Sequence, residues 1–226
     1  FGGGITAIIG PNGSGKSTLI RILSTLLLPD SGLVEIFGMN VTEKPYEVRS
    51  LINRVSVDAS FFKKLSVKEN LSYAARLYGM PVDISMAKAK TMLERFGLEE
   101  KKLYQPVENL SRGQQQMVSI TRSLITMPEL LLLDEPTTGL DPKSKHQVQD
   151  FVREINDEFG ITVILTSHDM QEVEKLCSRI AFILKGKIWD VGSAEELKTR
   201  AGSASLEEVF LKLTGEQFGE KDDENS

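Results

Sequence analysis

Short apolar runs alternate along the chain with longer segments in which apolar residues recur at helical spacing. The apolar runs predict β-strands at residues 5–9, 33–37, 54–57, 130–133, 161–166, 179–184 and 187–191. The segments between them predict helices at residues 15–27, 66–78, 85–96, 111–126, 142–159, 169–177, 194–199 and 206–213. Strands alternating with helices are typical of a parallel, doubly wound α/β sheet, and Lys185-Gly186 predicts a hairpin between the last two strands.

One stretch lacks this alternation, because it contains helical segments and no strand. Its first helix has a capping-box spacing, with Ser66 followed three residues later by Glu69. The predicted units are a core at residues 1–58 and 111–200, a helical subdomain at 59–110, a C-terminal helix at 201–215 and a polar tail, expected to be disordered, at 216–226.

Composition and charge narrow the function classes. The chain has 226 residues and a formal charge of −5. Between Glu216 and Glu224 lie five acids and one lysine, a local charge of −4 that leaves about −1 for the rest. A nearly neutral body disfavours nucleic acid as a partner. No apolar run approaches the roughly 18 residues that a membrane-spanning helix needs, so no direct membrane span is expected. The single cysteine, Cys177, is expected to be simply buried.

A glycine-rich stretch follows the first predicted strand and opens the first predicted helix. It matches the phosphate-binding P-loop pattern G-x-x-x-x-G-K-[ST]. Its residues are Gly10, Pro11, Asn12, Gly13, Ser14, Gly15, Lys16, Ser17 and Thr18. Glycines let backbone amides close around phosphate oxygens, Lys16 would neutralise the β- and γ-phosphates, and the Ser17 hydroxyl would ligate Mg²⁺. The alternative is a glycine-rich turn without a ligand. The pattern predicts a nucleoside triphosphate site.

Two carboxylates end the all-leucine strand, at the sheet edge where the P-loop is also expected. Asp134 is suited to hold Mg²⁺, and Glu135 is suited to act as a general base toward water attacking the γ-phosphate. Alternatively, both acids only cap the loop before Pro136.

Three further motifs identify a family resemblance. Leu110-Ser111-Arg112-Gly113-Gln114 resembles the L-S-G-G-Q signature of ATP-binding-cassette (ABC) proteins, with arginine at the third place. Thr138-Gly139-Leu140-Asp141 is similar to the family's D-loop, and Thr166-Ser167-His168-Asp169 is similar to its switch-histidine segment. The resemblance covers most of the chain and implies the ABC ATPase fold, a P-loop NTPase sheet with an inserted helical subdomain.

The resemblance also implies roles for individual residues. Two cassettes would associate head to tail around two ATP molecules, so that Ser111, Gly113 and Gln114 contact an ATP held by the other subunit. Asp141 would act across that interface, and His168 would contact the γ-phosphate and help to position Glu135. The implied cofactors are ATP and Mg²⁺. For Ser111 and for Asp169 with Glu172 a purely local capping role remains open, whereas His146 on a polar helix face is expected to be solvated.

The sequence departs from the family pattern in two places. The glutamine of the Q-loop, which contacts the metal and couples to the membrane partner, is missing, because no glutamine occurs between Leu19 and Tyr104. The matching position is Val57 or Asp58, and only the latter could ligate a cation. The aromatic residue that stacks on adenine would lie upstream of Phe1, so the chain is expected to be truncated at its N-terminus.

The resemblance therefore implies the ATP-hydrolysing subunit of an ABC transporter, cytoplasmic and peripheral on the inner face of the membrane. Its partners would be a second cassette, identical or not, and a separate transmembrane permease. Residues 60–64, with two aromatics beside two lysines, either meet the permease or bury their phenylalanines in the core. The segment 206–215 resembles the C-terminus of drug-export cassettes and favours efflux. The rival hypotheses are a non-catalytic ATP-gated switch and a soluble cassette protein acting on DNA or ribosomes.

Overall fold

The computed structural model describes residues 3–57 and 61–215 of the chain. Its strands are β1 Ile5–Ile9, β2 Glu35–Ile36, β3 Met39–Asn40, β4 Ile52–Val55, β5 Leu130–Asp134, β6 Thr162–Ser167, β7 Arg179–Leu184 and β8 Lys187–Gly192. Its helices are α1 Lys16–Leu23, α2 Pro45–Leu51, α3 Val67–Leu77, α4 Val82–Arg95, α5 Arg112–Ser123, α6 Pro142–Phe159, α7 Met170–Leu176, α8 Ala194–Ala201 and α9 Leu206–Thr214. Two short 3₁₀ helices, Glu100–Tyr104 and Val107–Asn109, lie between α4 and α5.

The main sheet has six strands in the order β4-β5-β6-β1-β7-β8. The first five are parallel, and β8 pairs antiparallel with β7 through the predicted hairpin. Lys185 and Gly186 have φ angles of 50° and 75°, the left-handed conformation that a tight hairpin turn needs. The predicted α/β fold with a mainly parallel sheet is confirmed.

Side chains alternate between the two faces of this sheet, so the core has two layers. On one face, Leu131 and Leu133 of β5 pack with the cluster that includes residues of α3, α4, α5 and α6. On the other face, Leu130 and Leu132 pack with Ile20 of α1 and Val48 of α2. Because both faces are covered, β5 can consist of leucine throughout.

The parallel register brings three strand ends to one edge of the sheet. Thr166 of β6 lies beside Asp134 of β5 on one side and Ile8 of β1 on the other. The residues that follow these strands are Gly10, Glu135 and His168. The P-loop, the paired acids and the switch histidine therefore meet where the fold opens to solvent.

Some elements differ from the predictions. Helix α1 ends at Leu23 rather than near residue 27, because Thr25 adopts a left-handed φ of 57° that stops the helix. Only Glu35–Ile36 of the strand predicted at 33–37 is extended, and it pairs with Met39–Asn40 in a separate small hairpin. Helix α2 was not predicted, whereas the Ser66–Glu69 capping box is confirmed in both directions. The division into core, subdomain and C-terminal helix stays a prediction, and the tail at 216–226 lies outside the described residues.

Candidate functional site

The P-loop forms a tight turn between β1 and α1. Gly13 and Gly15 have φ angles of 75° and 105°, which only glycine adopts without strain. Gly10 has a different constraint, because a Cβ there would lie 2.2 Å from the backbone oxygen of Ile183 on β7. The glycines therefore satisfy both turn geometry and packing, and leave Asn12, Gly13, Ser17 and Thr18 exposed at the edge of the sheet.

Lys16 is buried within this turn. Its Nζ donates to the carbonyl oxygens of Gly10 at 2.7 Å and Pro11 at 3.2 Å. Burial lowers the pKa of Lys16 from its usual value, while the nearby charges of Glu135 and Asp134 act in the opposite direction. An ammonium that is buried in the turn and hydrogen-bonded to carbonyl oxygens is suited to bind an anionic ligand.

The residues predicted to bind a metal come together beside the P-loop. Ser17 Oγ lies 3.3 Å from Asp134 Oδ1, and the same carboxylate oxygen accepts a hydrogen bond from Thr166 Oγ1 at 2.8 Å. A hydroxyl and a carboxylate are hard oxygen donors of the kind that Mg²⁺ prefers. Among the described residues, no group of three or more acids, histidines or cysteines could enclose a metal. The donor set therefore fits a cation that takes its remaining ligands from water and phosphate, as Mg²⁺ does beside nucleotides.

The two predicted catalytic side chains are adjacent. Glu135 Oε2 lies 3.5 Å from Nδ1 of His168 and accepts a hydrogen bond from Thr138 Oγ1 at 3.0 Å. The backbone amide of Glu135 donates to Thr166 Oγ1 at 2.9 Å. Glu135 has a left-handed φ of 48°, a strained conformation for a residue with a side chain. The backbone thus turns sharply after β5 and aims the carboxylate toward His168.

A buried network behind this pair was not predicted. Glu172 is 3% exposed, and its carboxylate accepts hydrogen bonds from Thr137 Oγ1 at 2.7 and 2.8 Å and from Ser167 Oγ at 3.1 Å. Asp169 caps α7 and forms an ion pair with Lys145 of α6. Burial raises the pKa of Asp169, but the hydrogen bonds from Lys145 and from the Glu172 amide outweigh it and hold the pKa below its usual value. The network joins the segments that follow Glu135 and precede His168.

The signature residues form the start of α5. Ser111 Oγ accepts from the Gln114 amide at 3.3 Å, and Gln114 Oε1 accepts from the Ser111 amide at 3.2 Å, so the local capping role is present. Gly113 packs against α6, where a Cβ would lie 2.5 Å from Cβ of Ser144. Asp141 caps α6, and hydrogen bonding with Ser144 lowers its pKa. Within the described chain, no hydrogen bond connects these residues to the P-loop.

The Q-loop region contains an unexpected cation. Val57 is 49% exposed, and Asp58 lies outside the described residues. Within β4, Arg54 places Nη2 3.3 Å from Asp134 Oδ2. Sequence reasoning missed this ion pair because it joins residues 80 positions apart.

A groove lies between β4 and the helices α3 and α5. It has a volume of about 180 Å³, and its lining includes Arg54, Phe62, Tyr73, Leu77, Tyr78 and Arg122. Phe62 is 54% exposed and packs edge-to-face on Tyr73, whereas Phe61 packs against the core beneath the guanidinium of Arg122. Only one of the two phenylalanines is thus available to a partner, and Ser60 lies outside the described residues.

Two other predictions concern exposure. His146 is exposed on α6, as expected, and Cys177 is partly buried, where burial raises the pKa of its thiol. None of the helices in the described ranges combines the length and apolar character that crossing a membrane requires.

Comparisons with known proteins agree with this geometry. The family model described as ABC transporter matches residues 2–138. The daunorubicin resistance ATP-binding protein DrrA3 of Streptomyces coeruleorubidus is 38% identical over 214 residues, covering 95% of this chain and 67% of that protein. The sulfate/thiosulfate import ATP-binding protein CysA of Mycolicibacterium paratuberculosis is 37% identical over 195 residues, covering 86% of this chain and 53% of that protein.

A solved structure shows the same fold. The dimeric, post-hydrolysis structure of the ATP-binding cassette MJ0796 with ADP and Pi superposes with a TM-score of 0.72 at 27% identity, covering 84% of this chain and 85% of that one. The predicted family is confirmed by these matches. The chain belongs to the ABC transporter family, as one of its ATP-binding cassettes.

Proposed function

We propose that this chain hydrolyses ATP in a site shared with a second cassette and thereby drives transport through a separate permease. The observation that carries the proposal is the meeting of Lys16, Ser17, Asp134, Glu135 and His168 at one edge of the sheet. A dimer bound to ADP and Pi among the structural relatives supports the shared site.

Each residue would have a distinct role. The P-loop amides and Lys16 bind the β- and γ-phosphates, and Ser17 and Asp134 hold Mg²⁺, which would neutralise phosphate charge. Glu135 accepts a proton from the attacking water, and His168, 3.5 Å away, fixes the orientation of that carboxylate. Ser111, Gly113 and Gln114 offer a helix N-terminus to the γ-phosphate bound by the other subunit. Asp141 caps the start of α6, the helix against which Gly113 packs, where it would face the second cassette.

The catalytic part is tested by ATPase assays of purified protein with Glu135→Gln and a matched Glu129→Gln variant that precedes the same strand. Loss of a general base should slow turnover about 10²-fold or more, and the Glu135 variant should accumulate an ATP-held dimer in size-exclusion chromatography. Equal, slow turnover by the wild type and the Glu135 variant would instead establish a nucleotide-gated switch, which the missing Q-loop glutamine would favour.

The permease would dock in the groove beside Phe62 and Tyr73. Exposed aromatics next to the Arg122 cation suit an interface hot spot. The test is co-purification with a multi-span membrane protein. Phe62→Ala and Tyr73→Ala should reduce its recovery, whereas Tyr46→Ala, which removes a 79% exposed aromatic outside the groove, should not. Recovery with ribosomes in place of a membrane protein would overturn the transport role.

The direction of transport is proposed to be efflux of a drug-like compound from the cytoplasm, with the cassette on the inner face of the membrane. The drug-resistance name of one relative and the residues 206–215 support this direction, while an importer is about equally similar in sequence. The direction of transport is tested by measuring drug accumulation in cells with and without the complex. An exporter should lower accumulation, whereas an importer would raise it.

A further inference from the structure

The environment of Asp134 contains a cation that the family pattern does not supply. Asp134 is 3% exposed, and both of its carboxylate oxygens have partners. Oδ1 accepts from Thr166 and faces Ser17, and Oδ2 lies 3.3 Å from Nη2 of Arg54. Among the described residues, Arg54 is the cation that forms a salt bridge with Asp134. A buried carboxylate of this kind needs a countercharge, and here the chain itself provides one.

The neighbouring lysine does not fill this place. Lys16 Nζ donates to the carbonyls of Gly10 and Pro11 and so remains on the P-loop. Lys16 therefore lies on the P-loop side of the site, where phosphate would bind, and Arg54 lies on the side of the Asp134 carboxylate. The two cations are thus divided between the two halves of the site.

The backbone explains why Arg54 reaches Asp134. Strands β4 and β5 are parallel neighbours, and Arg54 is in register with Leu132. Asp134 is two residues further along β5, so its side chain projects from the same face of the sheet. Any long cationic side chain at position 54 would extend along this face toward the metal-binding carboxylate.

One hydrogen-bond donor of the Arg54 guanidinium has no acceptor in the described part of the chain. Nε of Arg54 is buried and has no hydrogen-bond partner, while the side chain as a whole is 20% exposed. Arg54 also lines the groove that contains Phe62 and Tyr73. The Arg54 side chain can therefore move toward the groove, and the hydrogen bond to Asp134 is its main restraint.

We propose that Arg54 is a positioning residue of the metal site, whose guanidinium neutralises Asp134 in the metal-free chain and gives up Oδ2 when a divalent cation binds. The inference rests on the proposed nucleotide and metal function of this site. Since arginine and metal compete for one carboxylate, each weakens the binding of the other by the same factor. Arg54 therefore sets the metal concentration at which the site fills, and it holds Asp134 in place before that happens.

The test measures metal binding directly. Mn²⁺, used as a spectroscopic substitute for Mg²⁺, is titrated by electron paramagnetic resonance into the full chain saturated with a non-hydrolysable ATP analogue. Arg54→Gln is expected to tighten Mn²⁺ binding about fivefold or more, the low end of typical coupling between two ligands. Arg54→Lys, which keeps the charge, should stay close to wild type. Arg49→Gln removes a guanidinium that is bonded to Thr25 instead, and should leave the affinity unchanged.

A thermal-stability measurement supplies a second readout. Without metal, Arg54→Gln should melt lower than wild type because Asp134 loses its countercharge, and Mn²⁺ with the ATP analogue should raise its melting temperature more than that of wild type. Unchanged or weaker Mn²⁺ binding by a folded Arg54→Gln variant would overturn the inference, as would equal tightening by Arg49→Gln. If the wild type itself bound no nucleotide and metal, the proposed function would fail rather than the role of Arg54.

Discussion

Replacing Gly113 by alanine tests whether the signature glycine is needed for the chain's own packing. The added Cβ would lie 2.5 Å from Cβ and 2.6 Å from Oγ of Ser144, in the first turn of α6. Carbon atoms normally approach to about 3.5–4.0 Å, so α5 and α6 would have to separate by roughly 1 Å. The capping hydrogen bonds of Asp141 to the amides of Lys143 and Ser144, both 3.1 Å, resist that movement.

The expected cost follows from two opposing terms. Overpacking of this kind costs about 1–3 kcal/mol. Alanine in place of glycine in a helix returns up to about 1 kcal/mol. We therefore expect a net loss of about 1–2 kcal/mol, which for a chain of this size lowers the melting temperature by about 2–4 °C per kcal/mol.

The assay is thermal unfolding of Gly113→Ala, Ser144→Gly and the double variant, all without nucleotide. Ser144→Gly removes the atoms that the new methyl group would meet, so the double variant should be more stable than the sum of the single effects predicts. An unchanged melting temperature for Gly113→Ala, or strict additivity, would refute the packing argument. In that case the glycine would be needed only for approach to a phosphate.

Three further predictions concern other contacts. Ser66→Ala should lower the free energy of unfolding in urea by about 1 kcal/mol, because it removes the cap of α3. Ser193→Ala removes an equivalent capping box from α8 and should cost about as much. If neither variant lost stability, the capping geometry would be contradicted. Because the pKa of Asp169 is depressed in the folded chain, its contribution to stability is present above its ordinary value of 3.8 and lost as the pH falls through the lower folded value. The stability gap between wild type and Asp169→Asn should therefore close under acid, and a gap independent of pH would count against the ion pair. Burial raises the pKa of the Cys177 thiol, so maleimide should label the folded chain far more slowly than it labels a Tyr46→Cys variant; equal rates would show that the thiol is accessible.

Local sequence signals determined those parts of the fold that were predicted well. Helix α6 has proline at its first position and Gly160 in a left-handed conformation at its end, and its predicted bounds agree with the structure. The capping serine and glutamate defined the start of α3 in the same way. Helix α2 was missed because it is a segment of only 7 residues, with Val48 as its buried residue, and β4 follows it directly.

The candidate site was predictable where one motif contains its residues. The P-loop lysine and serine, and the acids after β5, follow from their position at strand ends. The contacts of Glu172 were not predictable, because Thr137 and Ser167 reach it from two other segments that only the sheet register brings together. The sequence supplies the residues of such a network, but their meeting depends on tertiary packing.

Arg54 illustrates the same distinction at the proposed metal site. In the sequence, the positions that match the missing glutamine are Val57 and Asp58, judged by their distance to residues 65–67. The structure instead shows a side chain from within β4 in contact with the carboxylate that we propose binds the metal, because neighbouring parallel strands place Arg54 and Asp134 on one face. Glutamine is a neutral ligand that would join a metal's coordination, whereas arginine is a cation that competes with the metal. Without the glutamine and with Arg54 on this face, the expected response of the site changes from added coordination of the metal to competition with it. The metal titration of Arg54→Gln measures whether that competition occurs.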